Sequence, residues 1–322
     1  MTVLVCCPGA ASAEPDWRPL AECWEQRLAA RAARSNEALG KARVLVCERP
    51  VSDDAASRGF DREAPDLLRE ADRVLELVKE QGIDEPVTVV GHSMGAWVAE
   101  AFVRLHPEWA AGLVLLDGSV LLEAPSVRWE VMTGPAPRSG NVTADAPGAA
   151  RGWRILHRMV RSRWITRWLQ RHGAGLAALL VPGRRAVFRR DPQAREVFCH
   201  PGFWTRSVRE LAVYPGWERQ LARLRAEAPL GAGTARSEEE WSEVSGLRSA
   251  LRIRVIAANG RLPKPGLSRW TRQVLAQARM LSQELSRTAA AEFRLSAVVM
   301  PRVGHFPHLD RPAATAVLIA EE

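Results

Sequence analysis

Apolar residues recur along this chain with two different periods, and the two alternate. Short, nearly continuous apolar runs stand at Thr2–Cys7, Arg43–Cys47, Val87–Val90, Leu113–Leu116, Leu251–Ala257 and Leu295–Met300. Each has the length and the β-branched content of a strand buried on both faces. Between them lie segments with helical spacing. Asp16-Trp17-Arg18-Pro19-Leu20 opens one that runs to about Arg34. From Glu63 to Gln81 the apolar positions are Leu67, Leu68, Ala71, Val74, Leu75 and Val78, a stripe of period 3.6 that Gly82 ends. Met94 to Leu105 is closed by His106-Pro107, and Leu267–Ala291 and a short segment after Pro312 complete the set. Alternation with short connections predicts an α/β fold: a mostly parallel sheet of about six strands with helices on both faces.

The alternation fails after about Leu121 and resumes near residue 246. The residues between them carry many tryptophans and arginines but no convincing strand. Ser126–Ala150 reads as loop, and Trp153–Gln170, Leu176–Phe188, Thr205–Tyr214 and Trp217–Ala226 read as helices. The division is therefore a core of residues 1–120 plus 246–322 with an inserted helical cap over 121–245. No internal repeat or linker separates independent domains.

Composition narrows this picture only slightly. The chain has 322 residues, 47% hydrophobic and 25% charged, ordinary values for a globular protein. No apolar run reaches bilayer length, and the amino terminus lacks the basic leader of a signal peptide, so the expected location is cytoplasmic. Five cysteines (Cys6, Cys7, Cys23, Cys47 and Cys199) without regular spacing argue against a disulfide framework and against a zinc site, and no metal or organic cofactor is implied. The net charge of +8 comes almost entirely from arginine; with no nucleic-acid module present it reads as compositional bias. Arginines surround the apolar positions of Trp153–Gln170, so contact with a membrane surface through this basic helix is an alternative, less favoured than a cap helix whose apolar face covers the site.

One stretch carries chemistry. Val87-Thr-Val-Val-Gly91-His-Ser93-Met-Gly95 joins a strand to a helix through Gly-x-Ser-x-Gly. A nucleophile elbow needs that order, because the serine occupies a strained turn and only glycines leave room on either side. The hydroxyl then stands at the carboxyl end of a sheet, where α/β proteins bind ligands, and a helix amino terminus faces developing negative charge. A serine needs a base, and a base needs an orienting acid. Of seven histidines His305, after Gly304 and the last strand, stands where a late catalytic loop belongs. His308 is its rival. An unperturbed histidine titrates near 6.5, so activity is expected to fall as pH drops through that value.

These segments resemble the α/β-hydrolase superfamily, serine-nucleophile branch. The resemblance spans the sheet portion and rests on Gly91-His-Ser93-Met-Gly95, on Gly304-His305-Phe-Pro-His-Leu-Asp-Arg-Pro312, and on Cys7-Pro8-Gly9-Ala10 with Asp16-Trp17-Arg18-Pro19. Pro8 replaces the usual histidine of the third motif, a change that leaves backbone donors available. By resemblance those donors are the amides of Ala10 and Met94. The chain begins at what is the third strand in larger members. The resemblance also implies an acid at one of two strand ends. The first reads Val255-Ile-Ala-Ala-Asn259 and offers no carboxylate; the second offers Asp117, which is assigned in preference to a triad without a carboxylate. Glu48 and Asp310 are weaker candidates, Asp310 bracing the histidine loop.

The expected function is hydrolysis of an ester or thioester of a small organic substrate through an acyl-enzyme, with Ser93, His305 and Asp117 as triad. Two alternatives stay open: acyl transfer or acyl elimination in a biosynthetic pathway with the same triad, and a non-catalytic hydrolase-like binding protein. Neither the acyl substrate's identity nor the oligomeric state follows from the residues.

Overall fold

The structure is a computed structural model that describes residues 2–35, 42–49, 66–118, 155–228, 230, 251–258 and 297–320. Six strands, β1 (Thr2–Cys7), β2 (Ala42–Val46), β3 (Val87–His92), β4 (Ala110–Leu116), β5 (Arg252–Ala258) and β6 (Val298–Met300), form one parallel sheet in the order β2-β1-β3-β4-β5-β6. The helices are α1 (Arg18–Ser35), α2 (Leu67–Glu80), α3 (Gly95–Leu105), α4 (Arg163–Leu180), α5 (Arg184–Arg190), α6 (Ala194–Cys199), α7 (Pro201–Glu227), α8 (Pro307–Asp310) and α9 (Pro312–Ala320).

Alternate residues of each strand serve opposite faces, which is why the strands read as unbroken apolar runs. Val3, Val5, Cys7, Val89, Leu113 and Leu115 share one core with α2, α3 and the second half of α7. Leu4, Cys6, Val90, Val114, Leu116 and Ile256 share the other with Trp17, α1 and α9. The cysteines are free thiols; burial pushes Cys47 up to about 11 and Cys6 higher still, so both behave as small apolar residues. Asp66 caps α2 by accepting the Leu68 amide, and Gly82 ends it with φ 65.

The strand order sets the position of the site. The chain steps from β1 out to β2, then returns to β3 on the other side of β1 and continues outward through β4, β5 and β6. At such a reversal the loops leaving two adjacent strands diverge and open a crevice. Here those loops follow Cys7 and His92, and Cys7 pairs with Gly91 at the strand ends.

Between β4 and β5, every described element is helical. The helix expected over Trp153–Gln170 divides at Ser162, whose extended backbone (φ -64, ψ 141) caps α4 by accepting the Ile165 amide. The two helices expected at Thr205–Tyr214 and Trp217–Ala226 are one, α7, which continues through Pro215. Tertiary packing overrides the local break: Phe203, Val208, Val213, Trp217, Leu221 and Leu224 are all buried along its length. Its carboxyl-terminal half belongs to the main core, where Glu100 of α3 pairs with both Arg104 and Arg225. A further difference concerns α4. Its buried face is Leu169, Gly173, Ala174, Ala177 and Ala178, while Trp164 is 72% exposed and Leu179 and Leu180 are also exposed. Of the large apolar side chains of the Trp153–Gln170 stretch, Leu169 is buried, whereas Ile155, Leu156, Met159, Trp164 and Trp168 are exposed. No helix among the described residues is long and apolar enough to cross a membrane.

Candidate active site

The elbow follows from the packing of its glycines. Ser93 has φ 52, a left-handed conformation that L side chains rarely adopt. A Cβ on Gly91 would lie 2.4 Å from the Ala96 Cα, and one on Gly95 would lie 2.1 Å from the Cys7 carbonyl oxygen. Both contacts are with backbone, so strand, turn and helix close together only with glycine at these positions. The Ser93 amide donates to the Leu116 carbonyl at 3.3 Å, tying the turn to the end of β4.

Asp117 ends β4 with φ 45, another left-handed residue, and its amide donates to Ile256 at 2.7 Å. One carboxylate oxygen accepts the Ala258 amide at 2.9 Å; the other lies 2.6 Å from His305 Nδ1. The aspartate side chain is almost fully buried, whereas half of the His305 side chain is exposed. A carboxylate so placed holds the Nδ1 proton and leaves Nε2 with a free lone pair. His305 is held by its own loop as well, because Asp310 accepts the Gly304 amide at 2.8 Å.

His308 occupies no comparable position. It is fully buried, stacked on Trp17 with ring centroids 4.3 Å apart, and neither ring nitrogen has a hydrogen-bond partner among the described residues. Burial, then the neighbouring His305 and Arg184, push its pKa down to about 3. It packs; it does not exchange protons near neutrality. Glu48 lies at the far edge after β2, where its carboxylate accepts the Glu14 amide. Asn259 lies outside the described residues.

The loop after β1 adjoins the elbow, since a Cβ on Gly9 would come within 2.9 Å of the Ser93 Cβ. Ala10 is half-buried in that loop and Met94 is buried at the start of α3. No acceptor among the described residues takes the amide proton of Ala10 or Met94. Two backbone donors thus stand beside Ser93 without an internal partner.

Four residues of this neighbourhood carried no sequence signal. His92, the x after Gly91, is fully buried and its Nε2 donates to the His305 carbonyl at 2.5 Å, which joins the elbow to the histidine loop. A carbonyl only accepts, so the proton is on Nε2. Arg49 and Arg184 are buried and Arg206 is partly buried, and all three donate to carbonyls of the loop after β1 or to Asp16 beside it. Arg184 of α5 lies 2.8 and 2.7 Å from the two Asp16 oxygens, with its guanidinium over Phe198. Both partners are at most 1% exposed. Arg184→Met strands a buried carboxylate and is expected to lower stability by about 3–5 kcal/mol, a drop of about 10 °C in Tm. Calorimetry of Arg184→Met/Asp16→Asn should recover much of the loss; a double variant no more stable than the single one would contradict the pairing.

Among the described residues no group of three or more His, Cys, Asp or Glu side chains is arranged to hold a metal ion. A family model described as the alpha/beta hydrolase family matches residues 4–318. A search of curated proteins gives no match. Among solved structures, the thioesterase domain from the curacin biosynthetic pathway is 14% identical with a TM-score of 0.48, covering 99% of this chain and 91% of its own. A thermophilic esterase from Thermogutta terrifontis is 17% identical with a TM-score of 0.43, covering 99% and 87%. A lipase described as putative from Acinetobacter baumannii AYE is 11% identical with a TM-score of 0.46, covering 98% and 81%.

Proposed function

Since the chain belongs to the alpha/beta hydrolase family, we propose that it is a serine hydrolase that cleaves an ester or thioester of a small organic substrate through an acyl-enzyme. The observation that carries this reading is the Asp117–His305 pair, 2.6 Å apart, at the strand end next to the strained Ser93 turn. A family fold hosts many reactions, so the function is argued from these residues.

In this reading, Ser93 Oγ attacks the acyl carbon while His305 Nε2 takes its proton. The tetrahedral oxyanion accepts hydrogen bonds from the Ala10 and Met94 amides. The imidazolium formed on His305 is stabilised by the buried Asp117 carboxylate. Collapse of the intermediate passes the proton to the departing alkoxide or thiolate. Water, deprotonated by His305, then attacks the acyl-Ser93 ester and frees the acid and the serine. The insertion expected over 121–245, whose described elements are helices, serves as a cap that shapes the acyl pocket.

A fluorophosphonate probe tests the nucleophile. Mass spectrometry is expected to find the adduct on the peptide containing Ser93, with no adduct in Ser93→Ala. The same variant is the blank for a panel of aryl esters and thioesters of graded acyl length, which reads the substrate class. A folded wild-type protein that takes up no label and hydrolyses none of the panel would overturn the reading.

A further inference from the structure

The loop that follows β1 is gripped from behind by charge. Arg49 Nη2 lies 2.8 Å from the Pro8 carbonyl and 2.9 Å from the Gly9 carbonyl. Its Nε is 2.7 Å from Glu210 Oε1 of α7, an ion pair in which the arginine is 7% and the glutamate 0% exposed. Arg206, one turn earlier on α7, reaches the Arg49 carbonyl at 2.7 Å and the Ser12 carbonyl at 2.9 Å and also faces Glu210. Two cations thus draw the loop's carbonyls to one side, and one fully buried carboxylate holds both cations.

A trans peptide unit is planar, with its C=O and N–H pointing in opposite directions. The carbonyl of Gly9 and the amide of Ala10 belong to one such unit. Fixing the carbonyl on Arg49 therefore turns the Ala10 N–H the other way, and the Gly9 backbone abuts Ser93. The guanidinium also polarises the unit. A carbonyl that accepts from a cation leaves its own N–H a stronger donor, and in a buried site this effect is little screened.

We infer that Arg49, oriented by Glu210, is a positioning residue that aims and polarises the Gly9–Ala10 peptide as an oxyanion donor. The inference rests on the serine-hydrolase reading. It also gives the insertion a second duty: α7 supplies the carboxylate that sets the donor's geometry, so the cap and the oxyanion site are mechanically one unit.

An oxyanion donor acts on the transition state and hardly on the bound substrate. Arg49→Met is expected to lower kcat about 10- to 100-fold with KM within about threefold of wild type. Arg49→Lys keeps the charge without the planar fork and should recover part of the loss. Arg104→Met, which breaks a comparably buried pair with Glu100 away from this loop, is the stability control: Tm falls, kcat stays within about twofold. Where Arg49→Met does not fold, Arg49→Lys carries the measurement, with kcat about 10-fold down. An Arg49 variant whose kcat matches wild type, or whose loss Arg104→Met reproduces at equal Tm, overturns the inference. Fluorophosphonate labelling of Ser93 in the wild type separates the two claims. Labelling with an unaffected Arg49→Met defeats the positioning role alone, and absence of labelling defeats the hydrolase reading and this role with it.

Discussion

Asp117→Asn is expected to lower kcat for aryl-ester hydrolysis about 10⁴-fold, with KM within about threefold of wild type and the fold intact. The fold survives because the amide keeps the shape and one acceptor oxygen. Ala258 N–H, which donates to one carboxylate oxygen at 2.9 Å, still has a partner. Asparagine also tolerates the left-handed backbone at this position (φ 45). Chemistry does not survive, because a neutral amide 2.6 Å from His305 Nδ1 neither fixes the tautomer nor balances the imidazolium. What remains is the contribution of the two amides and of substrate binding, with Ser93→Ala as the floor. Steady-state kinetics on one aryl ester decides the matter: a variant within about tenfold of wild type would place the acid elsewhere.

The legible part of this fold is the part where local pattern and tertiary burden agree. β1, β3 and β4 are buried on both faces, so their residues are mostly apolar, and their bounds differ from the sequence reading by three residues at most. The elbow was legible for a steric reason. A Cβ at Gly91 or Gly95 would strike backbone, so the two glycines are a direct imprint of the turn. The pairing of Asp117 with His305 was reached through a family resemblance, since nothing local in Leu-Leu-Asp-Gly announces a partner 188 residues away.

The arginines were the illegible part. Read from composition, an arginine-rich chain has a basic surface, and the helical insertion looks like apolar residues inward and arginines outward. The structure reverses this at several points. Arg49, Arg184 and Arg206 go inward to carbonyls and carboxylates, while Trp164 and Met159 go outward. An arginine can be buried when a carboxylate and several carbonyls meet its five N–H groups, and none of those partners is near in sequence. Glu210 and Asp16, each fully buried, are the counterparts of these arginines. The continuity of α7 was hidden likewise, because Pro215 is a local signal to stop and only packing along both halves keeps the helix going.

Acid is expected to destabilise this protein through its buried histidines. His92, His157 and His308 are buried, and burial holds all three below the ordinary value of 6.5, with His308 and His305 adding to it at His92, Arg161 and Arg209 at His157 (about 4), and His305 and Arg184 at His308 (about 3). The unfolded chain takes up these protons near 6.5 while the folded chain refuses them. With more protons on the unfolded state, stability rises with pH; it is complete above about 6.5 and is lost as pH falls toward about 3. Each such group costs up to about 1.4 kcal/mol per pH unit below 6.5, until the pH reaches its own folded-state value. One buried carboxylate acts lower down. Glu100 is raised by its burial but brought below its ordinary 4.5 by Arg225 and Arg104, so its own acid loss begins near 4.5 and does not overlap most of the histidine window. His308→Leu removes one titrating group and keeps an apolar side chain against Trp17. Urea unfolding at a series of pH values between 7 and 4.5 should show the variant's slope lower than the wild type's by about one proton. The stacking lost with the imidazole lowers the variant's stability at pH 7, so the two curves converge as pH falls. Parallel curves would mean that His308 is protonated in the fold, and the packing of His92, His308 and Trp17 would then have to admit a charge.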